Sequence, residues 1–210
     1  MKMGRSYPDF LIIGVQKGGT TSLYQYLLEH PHIAPAATKE VHFFDLQFDL
    51  GEDWYRSQFP SLIPRPIPSP TAEPQQPDLR SETPDSRLSN PITGEASPYY
   101  CFHPLVPQRV ANFCPETKLI ILLRDPVARA LSHYYHERRW GFEDLAFATA
   151  IDQETARLAG ESDRFAAEPF YQSYAYQHYS YLARGRYVEQ LQAWRSHFPA
   201  QQLLVLSSEN

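Results

Sequence analysis

Phe10-Leu11-Ile12-Ile13-Gly14-Val15-Gln16-Lys17-Gly18-Gly19-Thr20-Thr21-Ser22 reads as a strand, a tight turn and the opening of a helix. Four consecutive apolar residues, two of them β-branched, suit a strand buried on both faces. Gly14 to Gly19 break that run with a glycine-containing turn. Leu23, Tyr24, Leu27 and Leu28 then recur at helical spacing until His30-Pro31 ends the pattern. A buried strand feeding a helix through a glycine turn is the unit of a parallel α/β sheet.

The same unit recurs downstream. Leu119-Ile120-Ile121-Leu122-Leu123 is the clearest buried strand in the chain and runs straight into Arg124-Asp125-Pro126. Asp125 suits an N-cap and Pro126 the first helical position, so a helix is predicted from there to about Trp140. Further helices are predicted over 53–59, 106–113, 146–158 and 188–198, with a last strand at Leu203-Leu204-Val205-Leu206. Lys39 to Asp45 is expected to be extended, with Glu40 and His42 on one side and Val41 and Phe43 on the other. Order resumes at Thr93 to Tyr100, where Gly94 and Ser97-Pro98 beside Glu95 read as a turn that shapes the cleft. The fold expected is α/β and single-domain over 1–210, with a P-loop-like central parallel sheet flanked by helices. Residues 60–91 are dense in proline and polar groups and read as a disordered insertion within it. An α/β sheet normally covers a strand such as 203–206 with another helix, so a C-terminal helical part of the fold is expected to be missing.

Bulk composition narrows the functional classes. With 42% hydrophobic and 20% charged residues the chain has the balance of a globular domain. A net charge of −5 argues against broad nucleic-acid binding, while leaving room for a local anion site. Two cysteines, Cys101 and Cys114, are too few for a disulfide scaffold. The N-terminus lacks a signal-peptide pattern and no window reaches the length of a membrane span. A cytoplasmic location is therefore expected, although a lumenal domain cut from its anchor would look the same.

Three motifs carry chemistry. In the first, backbone N–H groups converge where the turn meets the helix, and the helix N-terminus favours negative charge. Lys17 adds a formal charge and Thr20, Thr21 and Ser22 add hydroxyls, which makes a phosphate cradle rather than a bare connection. It is not a Walker A loop: after Gly14 and Gly19 the next residue is Thr20, where a lysine should stand, and Lys17 sits inside the loop. Arg124 follows the later strand where a magnesium-holding carboxylate would be expected. In the second motif Arg124 ends a strand and Ser132 lies two turns into the next helix, a pairing suited to a phosphate monoester. The third, Lys39-Glu40-Val41-His42-Phe43-Phe44, offers a carboxylate and an imidazole for proton transfer. On its own this third pattern is common in loops. Burial beside Val41, Phe43 and Phe44 is expected to raise the Glu40 pKa. No metal-ligand spacing is present.

In order, GVQKGGTTSL, KEVHFFD, GEASPYY, LIILLRDPVARALSHYY and YLARGRYVEQLQAW resemble the sulfotransferases that use 3′-phosphoadenosine 5′-phosphosulfate (PAPS). The likeness is strongest to the heparan sulfate sulfotransferase branch and its bacterial relatives. It covers nearly the whole chain outside 60–91. It implies that Lys17, Gly18, Gly19, Thr20, Thr21 and Ser22 hold the 5′-phosphosulfate, and that Arg124 and Ser132 hold the 3′-phosphate. It further implies that the turn Arg184-Gly185-Arg186-Tyr187 closes over that phosphate or the adenine. Glu40 matches the catalytic base, with His42 beside it and Lys17 neutralising the leaving phosphate. The acceptor implied is a saccharide or another hydroxyl-bearing small molecule, with PAP (3′-phosphoadenosine 5′-phosphate) as product and no metal. Heparan-type members often carry lysine where Ala96 stands here, a departure that bears on the acceptor. Two rivals remain open at this point: a P-loop kinase with a displaced lysine, and a non-catalytic nucleotide-binding module.

Overall fold

The computed structural model describes residues 7–60 and 91–209. The Pro-rich stretch read as an insertion lies, apart from its end residues, outside them. Five parallel strands form one sheet in the order β2-β3-β1-β4-β5. They are β1 (Phe10–Gly14), β2 (Ile33–Pro35), β3 (Ile92–Glu95), β4 (Lys118–Leu123) and β5 (Leu203–Ser207). The helices are α1 (Thr20–Leu28), α2 (Gly51–Ser57), α3 (Val106–Phe113), α4 (Pro126–Trp140), α5 (Phe147–Arg157), α6 (Glu161–Ala167), α7 (Tyr174–His178) and α8 (Tyr187–Arg195).

β1 is buried along its whole length, and its alternate residues face two different cores. Leu11 and Ile13 pack with Leu119, Ile121, Phe43, Phe44, Tyr55, Tyr100 and Trp194. Phe10 and Ile12 pack with Tyr24 of α1 and with Ala96. A strand sandwiched between layers must be apolar at every position, which is why this stretch shows no polar alternation. Cys101 and Cys114 are free thiols within the first core.

The second strand-to-helix unit forms as the sequence indicates. Asp125 accepts a hydrogen bond from the Ala128 N–H at 2.7 Å, and Pro126 opens α4. Two expectations are corrected. Gly94 belongs to β3 rather than a turn, and it is there for contact. A Cβ at Gly94 would fall 2.4 Å from the Phe10 carbonyl oxygen, so only glycine lets β3 lie this close to β1.

Lys39 to Asp45 is not extended. His42 has φ 53° and residues 43–46 turn. Its backbone N–H groups are taken by side chains instead of a neighbouring strand. Val41 donates to Glu95 Oε2 at 3.0 Å and His42 to Ser97 Oγ at 3.0 Å, while Phe43 and Phe44 donate to the Tyr100 hydroxyl.

Candidate active site

The site lies at the carboxyl ends of β1 and β4, beside the point where the strand order reverses. These strands pair directly, so the loops leaving them are neighbours. The Val15 N–H donates to the Leu122 carbonyl at 3.0 Å, and Arg124 Nη1 donates to the Lys17 carbonyl at 3.1 Å. Gly18 packs against β4, where a Cβ would lie 2.5 Å from the Leu122 oxygen. Gly19 enters α1 with φ 100° and supplies no side-chain cap. The first N–H groups of α1 have no partner within the helix and open with its positive end on the adjoining cavity.

That cavity has a volume of about 550 Å³, in the range of small-molecule sites. Lys17, Gly19, Thr20, Thr21, Glu40, His42, Arg124, Ser132 and Arg184 all line it. One helical turn beyond Ser132, His136 meets Lys17, with Nζ and Nδ1 3.3 Å apart. Burial holds both the Lys17 ammonium and the His136 imidazole below their usual pKa values, and for His136 the charge of Lys17 adds to this. The natural pairing is an ammonium donating to a neutral ring.

Gly18, in the turn, and Ser22, in the first turn of α1, do not line the cavity. The Arg184-Gly185-Arg186-Tyr187 turn is split by the structure. Arg184 is buried, and its Nε and terminal nitrogens bond Ser180 Oγ, Gln16 Oε1 and the carbonyls of Tyr176 and Gln177. It braces the loop through Gln16. Tyr187 donates to the Arg124 carbonyl at 2.7 Å, and Gly185 sits close against Pro126. Arg186 is exposed, pairs with Glu189 at 3.5 Å and lines a different cavity.

Opposite the loop, Glu40 and His42 meet for a reason other than strand alternation. The left-handed turn at His42 brings its Nε2 to 3.1 Å from Glu40 Oε2, while Nδ1 lies 2.9 Å from buried Asp45. Lys39 Nζ contacts the other Glu40 oxygen at 2.5 Å. Burial alone would depress the His42 pKa, but its two carboxylate neighbours outweigh that and raise it to about 10. Burial likewise pushes Glu40 up, and the hydrogen bonds from His42 and Lys39 outweigh it and bring it to about 2. The expected rise in the Glu40 pKa is therefore corrected: the carboxylate is ionised at neutral pH. Val41, Phe43 and Phe44 point into the core and leave its surroundings polar.

Glu95 is fully buried and does not line the cavity. Burial raises its pKa to about 6 despite hydrogen bonds from Ser97, Tyr100 and the Val41 N–H. From the core it supports the Glu40 loop through the Val41 N–H and Ser97. Asp45, Ser97 and Tyr100 were not legible as site residues, since only the folded loop aims their oxygens at it. Among the described residues no group of three or more His, Cys, Asp and Glu is arranged to hold a metal ion.

A family model described as the sulfotransferase domain matches residues 7–210. The chain belongs to this family. Human heparan sulfate glucosamine 3-O-sulfotransferase 3B1 is 32% identical over 210 residues, covering 98% of this chain and 42% of that protein. The bifunctional heparan sulfate N-deacetylase/N-sulfotransferase 1 of Caenorhabditis elegans is 30% identical, covering 98% of this chain and 20% of that protein. The chain spans less than half the length of these curated relatives. Among solved structures, a sulfotransferase from Alicyclobacillus acidocaldarius superposes with a TM-score of 0.67 at 28% identity, covering 97% of this chain and 74% of that one. The sulfotransferase domain and its parallel α/β sheet thus agree with the fold read from the strand–turn–helix units. No described helix is long and apolar enough to cross a membrane.

Proposed function

We propose that this domain transfers a sulfuryl group from PAPS to a hydroxyl, or an amine, of a saccharide acceptor. The observation that carries the reading is convergence on one cavity. An uncapped helix N-terminus with Lys17, the Arg124–Ser132 pair and the ionised Glu40 all face the same space. The first suits the 5′-phosphosulfate and the second the 3′-phosphate, which together make a donor carrying phosphate at both ends of its ribose.

Glu40 takes the acceptor proton as the acceptor oxygen bonds to sulfur. The S–O bond to the donor phosphate breaks, and its electron pair stays on the phosphate oxygen. Lys17 neutralises the charge that builds there. His42, held by Asp45, fixes the Glu40 carboxylate. The similarity to heparan sulfate glucosamine 3-O-sulfotransferases favours a glucosamine-containing acceptor. The test is transfer of radiolabelled sulfate from PAPS to a panel of saccharides, lipids and phenols. Label on a saccharide is the expected result. Magnesium-dependent ATP turnover with no transfer from PAPS would return the kinase reading.

A further inference from the structure

Beyond the donor-facing residues, the cavity has one aromatic wall, and two capping motifs build it. α4 ends at Gly141, whose φ of 78° favours glycine, with Gly141 N–H donating to the Arg138 carbonyl and Phe142 N–H to the Glu137 carbonyl. This is a Schellman ending, and it fixes Phe142 over the last turn of α4. Facing it, Ser173 caps α7 by accepting from the Tyr176 N–H at 2.9 Å. The cap sets Tyr174 and His178 four residues apart on one face of the short helix. The three rings form a cluster, with the His178 centroid 4.1 Å from Phe142 and 4.4 Å from Tyr174, and the Tyr174 and Phe142 centroids 6.3 Å apart. Below it, buried Glu137 bonds His178 Nδ1 at 2.8 Å and contacts His133 Nε2 at 3.1 Å.

This leaves two unused features. Phe142 is 39% exposed at the cavity wall although one of its faces already meets His178. His178 also lines the cavity, and its Nδ1 is committed to Glu137, so Nε2 is the nitrogen left for a ligand. An apolar ring face beside a fixed hydrogen-bonding nitrogen matches a pyranose, which has a C–H face and hydroxyls at its rim. The wall stands away from Ser132, the residue assigned to the 3′-phosphate, and on the side of His136 and Lys17. At 1.5 Å per residue, the end of α4 at Trp140 stands about 12 Å along the axis from Ser132.

We propose that Phe142 and His178 form the acceptor subsite, with Phe142 taking the C–H face of a sugar ring and His178 Nε2 bonding one of its hydroxyls. Glu137 is a positioning residue that holds the His178 ring. The proposal rests on the sulfotransferase reading for its substrate, but binding tests it without turnover.

The experiment is titration of the PAP-saturated protein with a heparan sulfate hexasaccharide, followed by calorimetry. Phe142→Ala should weaken saccharide binding about three- to tenfold, the size of an aromatic stacking contribution, and Phe142→Tyr should restore it. His178→Ala should weaken it by a similar factor, and PAP affinity should hold in all three variants. In Glu137→Leu, which removes the acceptor for the Nδ1 proton, the imidazole ¹⁵N signals of His178 should change from one tautomer to a mixture, a signature that loss of stability alone does not produce. Unchanged saccharide affinity in both alanine variants, or no binding by the wild-type protein, overturns the subsite. Failure to bind PAP instead overturns the donor reading, and a second titration without PAP still tests the subsite.

Discussion

Replacing Glu40 by Gln keeps the shape of the side chain and removes its ability to take a proton. General-base catalysis contributes about 10²–10⁴-fold, most where the base's pKa lies near the working pH. Glu40 is far from that optimum, because His42 and Lys39 overcome its burial and hold it at about 2. The expected loss in kcat is therefore at the low end, about 10²-fold, with PAP affinity within a few-fold of wild type. The same shift fixes the pH profile. A depressed carboxylate pKa keeps Glu40 ionised as pH falls through 4.5, its ordinary value, and the charge is lost only on approach to about 2. His42, raised from 6.5 to about 10, stays protonated until the pH climbs toward that value. The ion cluster thus contributes fully between about pH 4.5 and 6.5. The Glu40 limb should be missing from the kcat profile above pH 4.5. The assay is initial-rate sulfuryl transfer across pH beside PAP calorimetry. Turnover above a tenth of wild type in Glu40→Gln, or an acidic limb near pH 5–6 that this variant removes, would refute the reasoning.

Lys17→Ala should lower kcat more than it weakens PAP binding, because the charge it meets grows as the sulfuryl group leaves; equal losses in rate and affinity would make it a ground-state contact. Arg124→Ala should erase most of the preference for PAP over AMP, about 1.5–3 kcal/mol for a charge-assisted bond, and undiminished discrimination by calorimetry would remove it from the 3′-phosphate site. Arg186→Ala should leave PAP affinity within about twofold, since its side chain lines the other cavity; a tenfold loss would bring the whole Arg184–Tyr187 turn back onto the nucleotide. Tyr100→Phe leaves the buried Phe43 and Phe44 N–H groups and the Glu95 carboxylate without their shared hydroxyl, and should cost about 3 kcal/mol in urea unfolding. A loss below about 1 kcal/mol would mean that Tyr100 does not hold the Glu40 loop.

The side of the site formed by the Lys17 loop and the start of α4 is legible in sequence because backbone builds it. A parallel strand, a glycine turn and a helix start each leave a local signature, so 10–28 and 119–140 read as the elements they form. β3 is hidden by Gly94, whose role is to admit the Phe10 carbonyl and not to turn the chain. α6 and α7 span only seven and five residues, too short for an apolar period to repeat. Arg184 and Arg186 are near-identical in chemistry and two apart in sequence. Only packing decides that one is spent on Ser180, Gln16 and two carbonyls while the other is solvent-exposed.

The Glu40 loop shows why the opposite side of the cavity is harder to read. A segment whose N–H groups are paired by side chains instead of a strand carries no period of its own. Its conformation is written in Glu95, Ser97 and Tyr100, more than fifty residues away along the chain. Those residues resemble an ordinary turn until β3 sets Glu95 at its end, fully buried and with its pKa raised to about 6 by that burial. The Val41 N–H, Ser97, Tyr55 and Tyr100 then supply the hydrogen bonds that a buried carboxylate requires. Ser97 passes that order on by accepting from His42, and His42 passes it to Glu40. One carboxylate is thus buried to build the loop, and the other is left 40% exposed at the cavity. What separates Glu40 from Glu95 is access to the cavity, a property of the sheet and not of either local motif.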